Sequence, residues 1–217
     1  MAIAAVTSFV PSPLTVKMAM VAALLQRGEK QKARSLVRHL PKIKVRIVPP
    51  QAAFSFKAFL RYRSVPAVES TGGLDETGSY YPSRPHTREY ALLSEELVFY
   101  IGLPDRAIRG HVEKALRNIR YLGCKDSLVW CKSLNEVDTQ ELETAPLVTH
   151  LSEEKAGSVV LLADFSPDVK DLNLERIIPG NRQDKDYQHP PPPHVLPGYI
   201  KVRGQTRLFV RQDPAPG

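Results

Sequence analysis

Cysteine is scarce in this chain: Cys124 and Cys131 are the only two among 217 residues. Two thiols build neither a disulfide scaffold nor a zinc quartet, so free thiols in a reducing, cytoplasmic setting are expected. No apolar run reaches 18 residues, which excludes a membrane-spanning helix as an expectation. The opening MAIAAVTSFVPSP has no charged start and no sustained apolar segment, so no secretory signal is read into it. Neither GxxxxGK[ST] nor GxSxG occurs, which removes the P-loop and the hydrolase elbow. His39, His86, His111, His150, His189 and His194 lack metal-ligand spacing, and HPPPPH sets its two imidazoles on an extended proline run. No metal and no cofactor is expected.

What is present is a core's worth of apolar residues (42%) and an uneven charge. The length suits one domain, or a domain with an appendage. Residues 1–135 hold 21 Lys and Arg against 10 Asp and Glu, residues 136–186 hold 5 against 12, and the remainder 4 against 1. Such polarity fits one side that meets a polyanion and another that meets basic or neutral partners.

The pattern reads as mixed helix and strand. Residues 3–9 suggest a short strand, and Pro13 prepares a helix over 14–26 whose apolar positions run nearly all round, as in a buried helix. A second helix is expected over 29–40. In IKVRIV (43–48), Ile43, Val45 and Ile47 share one face, and Lys44 and Arg46 the other. FSFKAFLRYR (54–63) reads as a strand whose aromatics either fill the core or stack nucleobases between phosphate-binding bases. Residues 64–88 are rich in Gly, Pro and Ser and read as a protruding finger.

REYALLSEELVFYIGL (88–103) predicts two strands joined by a turn near Leu93–Glu96. Asp105 is placed to cap an amphipathic helix, with Ile108, Val112, Ala115, Leu116 and Ile119 on one arc. Arg106, Arg109, Arg117 and Arg120 lie opposite, interrupted by Glu113. Gly123 supplies a turn before a strand over 128–134. Acidic 135–157 reads as loop, 157–165 as a strand, 166–198 as irregular with a stiff proline run, and 198–211 as a hairpin around Gly204.

Three blocks resemble the Cascade subunit of CRISPR systems that caps the 5′ handle of the guide RNA, the "Cas-five" family of the repeat-associated mysterious proteins. They are PSPLTVKMAMVAALL (11–25), TREYALLSEELVFYIGL (87–103), and a helix followed by YLGCKDSLVWCKSLNEV (121–137). The first is similar to the family's proline-led entry into its first helix. The second is similar to its central hairpin, and the third to its helix, "LG" turn and strand.

The resemblance implies an α+β chain with a ferredoxin-like, RRM-like palm over 1–137 and an inserted thumb near 64–88. A small, irregular, variable C-terminal region would follow over 138–217, with the strand at 157–165 and the terminal hairpin. It also implies a non-catalytic subunit of a type I-like antiviral ribonucleoprotein. Its partners would be crRNA and the repeated backbone subunits, with the large subunit and target DNA nearby.

Charge and placement then single out Lys17, Arg27, Lys42, Lys44, Arg46, Arg61, Arg63, Arg88, Arg109, Arg117 and Lys125 as RNA contacts. No catalytic set assembles. A metal-independent endoribonuclease would draw on His39, Tyr62, His86, Tyr90 or His111 as base. A protein-only scaffold is the remaining class.

Overall fold

The computed structural model describes residues 7–63, 83–124, 126–153, 156–177 and 186–213. Pro13 opens α1 (Pro13–Gln26), its fixed φ suiting the first turn, and Ser12 Oγ accepts from the Thr15 N–H at 3.2 Å. The helix buries Val16, Ala19, Met20, Val21, Ala23 and Leu24, as an apolar circumference requires. α2 (Lys30–His39) buries only Ala33, Leu36 and Val37 and runs into a 3₁₀ turn over Leu40–Lys42. Asp105 accepts from the Ala107 N–H at 2.8 Å and leads through a 3₁₀ turn (Arg106–Ile108) into α3 (Arg109–Arg117). α3 stops at Arg117, short of the expected Arg120, because the Asn118 side chain donates to the Lys114 carbonyl at 2.7 Å and closes the last turn.

The three helices share a core whose wall is a strand pair, β1 (Lys44–Val48) and β4 (Val98–Gly102). The pair is antiparallel, with Val45 opposite Ile101 and Ile47 opposite Phe99 on the covered face, and Arg46 opposite Tyr100 on the other. β2 (Ala52–Arg63) and β3 (Ser83–Leu93) pair in the same register, so the two ladders form one long ribbon from Lys44↔Gly102 to Arg63↔Ser83. The ribbon is interrupted at Pro49-Pro50, which bring no N–H donors to a ladder. Across the gap Ser94 exchanges hydrogen bonds with Ala52, and the Gln51 N–H donates to Glu95 Oε1 at 2.7 Å.

This corrects the expected hairpin over 88–103. β3 and β4 follow one another in the chain but lie in different sheets, each paired with the strand across the ribbon. Of the expected finger, residues 64–82 lie outside the described residues and 83–88 belong to β3.

The C-terminal half is not an appendage. β8 (Gly198–Arg203) and β9 (Thr206–Arg211) form the expected hairpin, and β9 pairs with β2 to complete a four-stranded sheet ordered β3-β2-β9-β8. A third sheet joins β5 (Thr149–His150), β6 (Ser158–Leu161) and β7 (Pro193–Leu196) in the order β5-β7-β6. Phe165, Leu172, Leu174 and Ile177 complete the helical core; the last two belong to α5 (Leu174–Ile177), which follows α4 (Thr139–Thr144). Val148, Leu162, Leu196 and Phe209 make a second core with Phe9, Val10, Ile47 and Ala53. Both cores cross the expected boundary at 137/138, and every ladder among the described residues is antiparallel, so the chain is an α+β protein.

Two further expectations change. Residues 128–134 form no strand: one bridge, Tyr121↔Leu128, holds the segment, and Leu128 (76%) and Trp130 (81%) stand exposed with no core to join. β6 ends at Leu161 because the chain then turns to pack Leu162 and to bring Asp164 to α1. Residues 1–6 lie outside the described residues, and Thr7–Val10 is not a strand; Phe9 and Val10 are buried instead.

Candidate nucleic-acid interface

The eleven candidate cations fall into distinct settings. Lys17 lies in the core: its Nζ sits 2.7 and 2.9 Å from the two Asp164 oxygens and 5.9 Å from the centre of the Phe165 ring. Burial pulls its pKa below the ordinary value of 10.5, with Asp164 opposing. A fully buried ammonium that closes α1 onto the 162–165 segment is a structural pin, and Lys17 is withdrawn from the RNA-facing set.

Arg109 donates to Glu113 and Glu136, and Arg88 pairs with Asp126. The hydrogen bond to Glu113, followed by the charge of Glu136, raises the Arg109 pKa. These two guanidiniums are partly neutralised, and the basic stripe expected on α3 is interrupted at Arg109 by Glu113 of the same helix and by Glu136 beyond it. Arg61 and Arg63 occupy the far end of β2, opposite Pro85 and Ser83. Lys125 lies outside the described residues.

Arg27, Lys42, Lys44, Arg46 and Arg117 form no salt bridge among the described residues. Lys44 and Arg46 project together from β1, away from the helices, because a strand's alternation sends their neighbours Val45 and Ile47 inward. Arg27 follows α1, and Arg117 ends α3. The two helix ends are tied by Lys114 to Glu29 and by Gln26 to the Tyr121 hydroxyl at 3.0 Å.

The four-stranded sheet has two unlike faces. Inward lie Ala53, Ser55 and Phe209, with a buried polar cluster beside them. Glu89 Oε1 accepts from Ser55 Oγ at 2.7 Å and from Arg207 at 3.0–3.1 Å, while its Oε2 accepts from the Thr7 N–H at 2.8 Å. Burial pushes the Glu89 pKa up, but the bonds from Ser55, Thr7 and Arg207 outweigh it and hold the carboxylate below its usual range.

The outward face carries Phe54, Phe56, Tyr90, Leu92, Leu208 and Tyr199. Phe54 is 41% exposed and Leu92 61%, so the core reading of these aromatics fails; Phe59, inward-facing but beyond the end of the core, is 66% exposed. Sequence reasoning took up neither Tyr199 nor the C-terminal cations Lys201 and Arg203 on this face. The alternation in GYIKVR was a visible signal, but which strand it would meet was not.

The candidate bases do not converge. His39 and His111 lie on α2 and α3, and Tyr90 on the outward sheet face. Tyr62 and His86 are strand positions at the far end of the ribbon. Nearer to chemistry is a pair that no spacing announces: His150 and His194 are cross-strand neighbours with ring centres 5.5 Å apart. They line a cavity of about 320 Å³ together with Arg46 and Glu143. Among the described residues no three His, Cys, Asp or Glu side chains gather as metal ligands. In comparisons with known proteins, the chain matches no protein-family model and no curated protein.

Proposed function

We propose that this protein is a non-catalytic RNA-binding subunit of a type I-like CRISPR surveillance complex, of the Cas-five kind. It holds the 5′ handle of the crRNA and contacts the repeated backbone subunits, in the cytoplasm. The observation that carries the reading is the long ribbon interrupted at Pro49-Pro50: β2 and β3 stay paired well beyond the four positions that β9 covers, as the stem of a thumb would, and the same ribbon bears Lys44 and Arg46, which form no salt bridge among the described residues. A phosphate chain meets such cations by shape and charge rather than by base identity. Once α2 and the β2–β3 ribbon are set aside as insertions, the succession α1, β1, β4, α3, with the helices packed on the β1–β4 pair, is like the central part of a β-α-β-β-α-β unit, which supports the proposal of a ferredoxin-like palm.

The test is purified protein with labelled repeat RNA in EDTA across a salt series. Retention without cleavage is expected, with affinity falling as salt rises. Lys44→Gln with Arg46→Gln should lower the salt slope by up to about two. Absence of RNA affinity, both alone and in the assembled complex, leaves a protein-only scaffold and ends the RNA reading.

The His150–His194 pair beside Arg46 favours one second reading, a metal-independent endoribonuclease that processes precursor crRNA. Cleavage in EDTA that His150→Ala or His194→Ala abolishes would select it.

A further inference from the structure

We infer that the outward face of the β3-β2-β9-β8 sheet is a stacking surface for the unpaired bases of a single-stranded nucleic acid. The inference rests on the RNA-binding reading above and adds to Lys44 and Arg46 a second set of residues, carried by another sheet.

The sheet's inward face is filled by Ala53, Ser55 and Phe209, and α1, α2 and α3 pack on the other strand pair. Among the described residues the outward face leaves Phe54, Leu92, Leu208 and Tyr199 exposed and Phe56 and Tyr90 half-buried, an arrangement that marks an interaction surface when the apolar groups are contiguous. They are contiguous here. Phe54 and Phe56 lie with ring centres 6.3 Å apart and planes within 19°, and Phe56 and Tyr90 lie 5.9 Å apart within 25°. Leu92 and Leu208 flank Phe54 on the adjacent strands. The rings therefore make one contiguous aromatic row across β2 and β3, their planes nearly parallel.

Charge selects the occupant. At the described positions of this face every ionisable carboxylate is missing and every charged side chain is basic: Arg88 on the β3 edge, Lys201 and Arg203 on the β8 edge. Arg88 shares its charge with Asp126, whereas Lys201 and Arg203 form no salt bridge among the described residues, and the Lys201 ammonium lies 5.1 Å over the Tyr199 ring. The two edges stand about 14 Å apart, three interstrand spacings. That leaves room for roughly two or three bases along the aromatic row while phosphates meet cations at the rims, the division of labour by which sheets bind single strands. An apolar peptide would use the leucines but would have no need of flat rings between rims of one charge.

The experiment uses the full chain with fluorescent oligouridylate, oligothymidylate and a duplex of mixed sequence. Phe54→Leu with Phe56→Leu keeps the apolar area and removes the ring faces. Single-strand affinity should fall about tenfold or more with the melting temperature unchanged, and duplex binding should not move. Ultraviolet crosslinks of the single strand should map to the peptides around 54–56 and 90. Preference for oligouridylate would identify RNA as the source of the bases, and parity or preference for oligothymidylate would extend the surface to DNA. Wild-type affinity in the leucine variant overturns the inference while leaving RNA binding through Lys44 and Arg46 intact. Selective loss of a protein subunit instead of the oligonucleotide also overturns it, by making the face a protein contact.

Discussion

The Lys17 ammonium is surrounded by protein, and among the described residues Asp164 is the one carboxylate that offsets the cost of its desolvation, with the Phe165 ring beside it. Removing the cation alone leaves a partly buried carboxylate without its partner. Lys17→Met should therefore cost about 3 kcal/mol in denaturant unfolding, with Lys17→Met/Asp164→Leu recovering most of it. Neither variant should change the salt slope of RNA binding, which separates this lysine from Lys44 and Arg46. Glu89 gives the pH counterpart. Its folded-state pKa is depressed, so its contribution is complete above the ordinary carboxylate value of 4.5 and is lost as pH falls below it. The melting temperature should drop in that acid range, and the advantage of wild type over Glu89→Gln should shrink there. An advantage that persists undiminished to pH 3 would contradict the assignment.

At the scale of the element, the hairpin that completes the sheet depends on one backbone conformation. Gly198 has φ +132°, where L side chains rarely go, and a Cβ there would overlap the Val210 carbonyl oxygen. Gly198→Ala should lower stability by roughly 3 kcal/mol in a thermal or urea melt, from backbone strain and the displaced strand together. That β8 and β9 would form a hairpin was legible in GYIKVRGQTRLFVR, because alternation and a turn glycine are local signals. So were α1, α2, β1, most of α3 and the Asp105 cap, each fixed by periodicity or by a neighbour two or three residues away. What was not legible is pairing at a distance. Nothing in REYALLSEELVFYIGL tells that β3 will meet β2 while β4 meets β1, since the partners lie 30 to 58 residues upstream, from Arg88↔Ala58 to Gly102↔Lys44. The same blindness hid Lys17, whose acid is 147 residues away, and the His150–His194 pair.

Over the whole molecule these long-range pairings decide what folds with what. A boundary at 137 would leave Phe165, Leu172, Leu174 and Ile177 out of the helical core, and would remove Leu162, Leu196 and Phe209 from beneath Ile47 and Ala53. It would also strip β9 from β2 and take away Arg211, which donates to the Pro49 carbonyl at 2.7 Å where the ribbon is interrupted. Seven buried large side chains would go at once, each contributing about 1.5–3 kcal/mol by its removal from water, against a typical domain stability of about 5–15 kcal/mol. A fragment of residues 1–137 is therefore expected not to fold. It should lack a cooperative melt and exchange its β1 and β2 amides rapidly, whereas the full chain should melt in one transition with both strands protected. Protected β1 amides in the fragment would show instead that the helices and the β1–β4 pair stand alone, and that the C-terminal half only docks against them.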